Sequence, residues 1–171
     1  VAARGALMLA HARGGGTMVA IDLPEEQAQA VIGVRSDVCI TGVNGPRQTV
    51  LSGRPEAVEA VLSVLPETRV RRLEVSHAFH SADMDGMLAA YAAVAETVTY
   101  HPPQRSVVSS VTGEVATGDA LLTPAYWVRQ VREAVRFGDV VQTFSGLGAS
   151  VAIECGPSGV LTALSADGFA G

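Results

Sequence analysis

TMVAIDLPEEQAQAVIGVRSDVCITGVNGPRQTVLSGRPEAVEAVLSVLPETRVRRLEV, residues 17–75, is the stretch whose pattern decides the fold. Thr17 to Asp22 reads as a strand, a short apolar run following the Gly14-Gly15-Gly16 break. Pro24 to Ile32 reads as a helix, with Pro24 in the first turn, where its missing N–H costs no hydrogen bond. Val38 to Val43 and Gln48 to Ser52 read as two strands joined around Asn44-Gly45-Pro46, a strong turn signal. Pro55 to Leu65 is helical, because Val58, Val61, Leu62 and Leu65 form one apolar stripe at helical spacing. Arg69 to Val75 alternates as a final strand. The order β-α-β-β-α-β is the ferredoxin-like split arrangement, so residues 14–76 are expected to form a small ferredoxin-like subdomain.

Outward from that unit the pattern changes. Ser81 or Asp83 can cap a helix from about Met84 to Val98, whose Met84, Met87, Leu88, Tyr91, Val94 and Val98 line one face. Pro102-Pro103 breaks the chain, and Arg105 to Val111 is a β-rich run ending at Thr112-Gly113. Pro124 to Val131 and Val135 to Phe144 read as helices, Ser150 to Glu154 as a short buried strand, and the residues from Val160 as a last short helix. On the other side, residues 1–10 read as a helix with no capping residue before them, as though the chain were cut mid-element. The expectation is a fragment of an α/β protein. Residues 1–13 would end a helix of a large subdomain, and residues 77–171 would be the C-terminal part of that α/β-hydrolase-like unit.

Composition narrows the partners. Of 171 residues, 48% are hydrophobic and 17% charged, enough apolar material for a core and too little charge for a disordered chain. The formal net charge of -5 leaves no basic excess to hold phosphate backbones, so nucleic acid is excluded as a partner. No stretch approaches the roughly 18 apolar residues needed to span a bilayer, and the first residues lack the basic-then-apolar layout of a secretory signal, so a cytoplasmic protein with no membrane partner is expected. Cys39 and Cys155 lie far apart, without metal-site spacing, and read as small core residues.

His77-Ala78-Phe79-His80-Ser81 falls where the small unit ends and the larger resumes, a common place for a cleft. An imidazole there can take a proton from a hydroxyl nucleophile and return it to a leaving thiolate, because its pKa lies near neutrality. Taken alone, the pentad reads more readily as a surface loop or one packed against the core.

Several segments together resemble the acyltransferase domains of modular polyketide synthases and their stand-alone malonyl-transferring relatives. They are Arg4-Gly5 with Met8, Val43-Asn44-Gly45-Pro46, the HAFHS pentad, Ser110-Val111-Thr112-Gly113, Tyr126-Trp127 with Gln130, Ala134-Val135-Arg136-Phe137, and Glu154-Cys155-Gly156-Pro157 with Val160-Leu161. They occur in family order and cover nearly the whole chain.

The resemblance implies a role at each matched position. His80 matches the general base of a Ser–His dyad. Arg4 matches the arginine that holds the malonyl carboxylate, a task suited to a guanidinium fork that stays charged at every working pH. Gln130 matches the residue whose backbone carbonyl accepts the histidine's other N–H and so fixes its tautomer. HAFH resembles the malonyl-selecting form of the motif and YASH the methylmalonyl-selecting form. Phe79 would then fill the space an α-methyl branch needs, worth roughly 1–3 kcal/mol, with His77 shaping the same wall. The family often has Gln after its Met, where Leu9 stands here. The nucleophile of the family sits in a GHSxG elbow, and no such motif occurs in this sequence. The parent domain would transfer malonyl from malonyl-CoA to the phosphopantetheine arm of an acyl carrier protein, beside neighbouring synthase domains. It would bind no cofactor and no metal, and this chain alone would be inactive.

Two other classes stay open at this level. One is a metal-dependent hydrolase on His77, His80, Asp83 and Asp85, since HxxH with nearby carboxylates suits zinc. The other is a non-catalytic fragment or interaction module.

Overall fold

The structure, a computed structural model, describes residues 1–166. Helix α1 spans Ala2–His11 and is followed by strand β1, Thr17–Ile21. Then come α2 (Glu25–Ile32), β2 (Val38–Gly45), β3 (Gln48–Gly53), α3 (Pro55–Leu62) and β4 (Val70–Arg72). A single 3-10 turn at Ala82–Met84 leads into α4 (Asp85–Glu96), and α5 (Pro124–Arg132), α6 (Phe137–Gly146) and α7 (Val160–Ser165) complete the order.

The four strands form one antiparallel sheet in the order β2-β3-β1-β4, so the protein is a mixed α/β chain with a small antiparallel sheet. The hairpin turn comes later than the sequence pattern places it. Gly45 pairs with Gln48, so the chain reverses at Pro46-Arg47 and β2 runs on through Asn44. Proline suits this place because it has no N–H to give a ladder. Register shifts at Ile40/Gly42 and Val43/Gly45 bend β2 near its end.

Alternate side chains of β1 send Val19 and Ile21 towards α2 and α3, where Leu51, Ala28, Ile32, Val58 and Val61 close a core. Burying each such side chain contributes roughly 1.5–3 kcal/mol. Polar residues inside are matched: the Thr49 hydroxyl donates to the Leu23 carbonyl at 2.7 Å, and the Thr41 and Ser52 hydroxyls lie 2.7 Å apart. A second, smaller core joins α1, α4 and α5 through Met84, Met87 and Val131, with Leu7, Met8, Phe79, Leu88 and Tyr91 packed around it.

The two cores are tied by main chain. The Val43 N–H donates to the Val135 carbonyl at 2.8 Å, and the Val135 N–H donates to the Thr41 carbonyl at 3.0 Å. Residue 135 thereby adds one parallel bridge to β2 at Gly42. Arg136 then reaches back to α2, donating to both Glu25 carboxylate oxygens at 2.7 and 2.9 Å and to Asp139 at 2.6 Å. At this seam α6 lies so close to β2 that a Cβ on Gly138 would stand 3.0 Å from the backbone of Gly45.

Three expectations from sequence need correction. Ser150 to Glu154 is not a buried strand: it has no ladder, and Val151 and Ile153 are 78% and 85% exposed. Among the described residues no strand lies beside it, so its backbone has nothing to pair with. Arg105 to Val111 forms only a bridge between Val108 and Val115, across a turn with Gly113 at φ 76. Of the two cysteines, Cys39 is half-buried and Cys155 is exposed, so neither is a sealed core residue. No helix among the described residues is long and apolar enough to cross a membrane.

Candidate functional site

The loop His77–Ser81 is held by its own backbone. The Phe79 N–H donates to the His77 carbonyl at 3.0 Å, and Ser81 accepts from the Asp83 N–H at 3.1 Å, capping the 3-10 turn. Between them His80 adopts φ 57, the left-handed region that a non-glycine residue rarely occupies and that clusters at functional sites. Buried Ala78 anchors the loop beneath, and Phe79 packs into the small core of α1, α4 and α5. The twist at residue 80 turns the imidazole towards the end of α5.

There Nδ1 of His80 lies 2.8 Å from the main-chain carbonyl of Glu133. A carbonyl oxygen can only accept, so Nδ1 carries the proton and Nε2 keeps its lone pair. The acceptor is therefore Glu133 and not, as the motif implies, Gln130. The reason lies in where α5 stops: Arg132 is its last residue, and Glu133 turns out with ψ 157 as the chain heads for β2. The Gln130 carbonyl exerts a weaker pull of the same sign on the imidazole. Glu133 is itself fixed, because Arg129 grips its carboxylate at 2.7 and 2.9 Å. An arginine and a glutamate four apart at a helix end were the available sequence signal for this clamp.

Burial holds the His80 pKa below its ordinary 6.5, and the nearby Arg4 guanidinium pushes the same way. The carbonyls of Glu133 and Gln130 oppose both, yet the net direction is down, so the neutral base prevails at neutral pH.

Arg4, on α1, meets α5 through its Nη1, which donates to the side-chain Oε1 of Gln130. The structure thus gathers Arg4, Gln130, His80 and Glu133 at one place, where α1 and α5 converge over α4. Beside Arg4 a hollow of about 470 Å³ is walled by Tyr91, Val94, Tyr100 and Trp127; His80 is not part of its wall. His77 lies beside Phe79, with ring centroids 5.8 Å apart, and its Nδ1 is 2.9 Å from the Ser76 hydroxyl.

The metal-site grouping does not assemble. Asp85 pairs with Arg132 at 2.8 Å, Asp83 is buried with Oδ2 unpartnered, and His80 is turned towards Glu133. Among the described residues, no three His, Cys, Asp or Glu side chains are arranged to hold a metal ion.

Comparison with known proteins bears on the same geometry. The acyl transferase domain family matches residues 1–170. Polyketide synthase GfsA of Streptomyces halstedii is 46% identical over 167 residues, which are 96% of this chain and 2% of that synthase. The acyltransferase domain from the second module of the salinomycin polyketide synthase superposes with a TM-score of 0.91 at 43% identity, over 99% of this chain and 40% of that one. A malonyl-transacylase solved in complex with a type II polyketide synthase acyl-carrier protein gives a TM-score of 0.84 at 28% identity, over 98% of this chain and 56% of that one. The chain thus spans less than half of the salinomycin domain.

Proposed function

The chain belongs to the acyl transferase domain family, among the acyltransferase domains of polyketide synthases, and from that membership we propose that it carries the base and the carboxylate clamp of a malonyl transferase. In this reading residues 14–76 are a ferredoxin-like subdomain, and residues 1–13 and 77–171 are the C-terminal part of a hydrolase-like one. The serine comes from a part of the domain outside these residues.

The chemistry follows from the site. Nε2 of His80 takes the proton of the serine hydroxyl as its oxygen attacks the thioester carbonyl of malonyl-CoA. The tetrahedral adduct collapses, the C–S bond breaks, and the imidazolium returns the proton to the departing CoA thiolate. The phosphopantetheine thiol of an acyl carrier protein then attacks the acyl-serine; His80 takes its proton and hands it to the serine oxygen. Arg4 holds the malonyl carboxylate through both transfers. Phe79, with His77 against it, limits the space at the α-carbon, favouring malonyl over methylmalonyl.

The observation that carries this reading is the His80–Glu133 bond, which leaves Nε2 free beside a site that also holds Arg4. The test is an intact acyltransferase domain bearing these 171 residues as its matched segment, assayed for malonyl transfer to carrier protein. His80→Ala is expected to slow transfer by about 10²–10⁴-fold. Unchanged transfer would remove the dyad. Failure of the intact domain to transfer any acyl group would favour a non-catalytic module.

A further inference from the structure

We propose that the side chain of Gln130 is a positioning residue for Arg4, an uncharged rung that sets the guanidinium at a defined place beside His80 and leaves its charge available to the carboxylate of the substrate. This inference rests on the function proposed above and adds to it the means by which acidic acyl groups are told from neutral ones.

Arg4 and Gln130 are 126 residues apart in sequence and meet only through tertiary packing. Both are partly buried, and the three arginines on and just after α5 have acidic partners. Arg129 holds Glu133, Arg132 holds Asp85, and Arg136 holds Glu25 and Asp139. Among the described residues Arg4 takes part in no ion pair, and its partner is an amide oxygen.

That difference has a physical consequence. A carboxylate at position 130 would orient the guanidinium equally well, but it would also cancel its charge and repel an incoming anion. An amide orients without cancelling. It also occupies only one of the several N–H donors of the guanidinium, so a two-pronged face remains for a carboxylate.

The rung is rigid at its base. Gln130 precedes Val131, which is fully buried in the core shared with Met84 and Met87, so the backbone at 130 has little room to shift. One turn further on, the Glu133 carbonyl holds His80. The last turn of α5 and the residue that ends it therefore carry both supports, the Gln130 side chain for the clamp and the Glu133 carbonyl for the base.

The test uses the intact domain described above, with malonyl-CoA and acetyl-CoA as the acidic and neutral acyl donors. Gln130→Leu and Gln130→Glu are expected to raise KM for malonyl-CoA by about ten- to a hundredfold, the effect of losing a hydrogen bond to a charged group. Acetyl transfer should change little. Gln130→Asn keeps the amide but withdraws it by one methylene, and should raise the malonyl KM by less. It also serves where the leucine variant folds poorly. Arg4→Ala is the control. If it leaves the malonyl KM unchanged, the function proposed for Arg4 is wrong. If it raises that KM while the Gln130 variants do not, only the positioning role is overturned. Equal losses on malonyl and acetyl donors in the Gln130 variants would also overturn it, by assigning the residue to general packing.

Discussion

The sheet unit and the stretch after α6 are both rich in apolar residues, and they end in opposite states. Val19, Leu51 and Val58 are wholly buried, whereas Val151 and Ile153 are almost fully exposed, and Leu147, Val160 and Leu161 are close to half exposed. Hydrophobicity does not separate the two sets. What separates them is pairing. Val19 has antiparallel neighbours on both sides, Leu51 on β3 and Arg72 on β4, and helices lie over the face it shows. Residues 150–154 have no neighbouring strand among the described residues, so neither their backbone nor their side chains find cover. An apolar run states a demand for burial; a partner surface has to answer it.

Substitutions can break this contrast or sharpen it. The largest effect is expected at the closed core: Leu51→Ala should cost about 3 kcal/mol in urea denaturation, through lost transfer energy and the cavity left behind. A cost near zero there would mean that the sheet unit is not self-contained. The seam comes next. Arg136→Met removes the grip on Glu25 and Asp139 and should cost about 1.5 kcal/mol, since the arginine side chain is only 28% exposed. Its loss should also loosen the Glu133–Val135 connection and show as faster amide exchange at Val43 and Val135.

The effect of protonating His80 is smaller. Its folded pKa lies below the unfolded value of 6.5, so the stability it contributes is complete above pH 6.5 and declines as pH falls through the lower folded value. His80→Asn, which tolerates the left-handed backbone, should flatten this slope between neutral pH and the carboxylate range. An unchanged slope would mean that the ring is not sheltered. The smallest effect belongs to the open stretch: Ile153→Ser should alter the stability of this chain by no more than about 0.5 kcal/mol. A cost comparable with that at Leu51 would erase the contrast.

Much of this was legible in advance. The alternation in residues 17–22 and 48–52 and the helical stripe from Val58 correspond to β1, β3 and α3. Ser81 caps the turn into α4, as a small hydroxyl residue before an apolar periodic run would suggest. His80 stood out only through the family resemblance, since the local sequence alone favoured a loop histidine packed on the core. The Glu133 acceptor was hidden, because it depends on the last residue of α5, and helix ends are the least certain feature of a pattern. The Arg4–Gln130 contact was hidden for a different reason: no local periodicity relates residues so distant in sequence. Asp83 read as a possible helix cap or metal ligand, yet it is buried with Oδ2 unpartnered, and a Cβ on Gly16 would stand 2.4 Å from that oxygen.

Local sequence specified the strands and helices of the sheet unit in order, and the residue types able to do acid–base and carboxylate chemistry, because propensity, periodicity and capping act over a few neighbouring residues. Only the tertiary structure decided which carbonyl holds His80, which amide steadies Arg4, and which apolar run is covered. Each of those depends on surfaces meeting across a hundred residues or so, and short-range patterns carry no record of where distant surfaces come to rest.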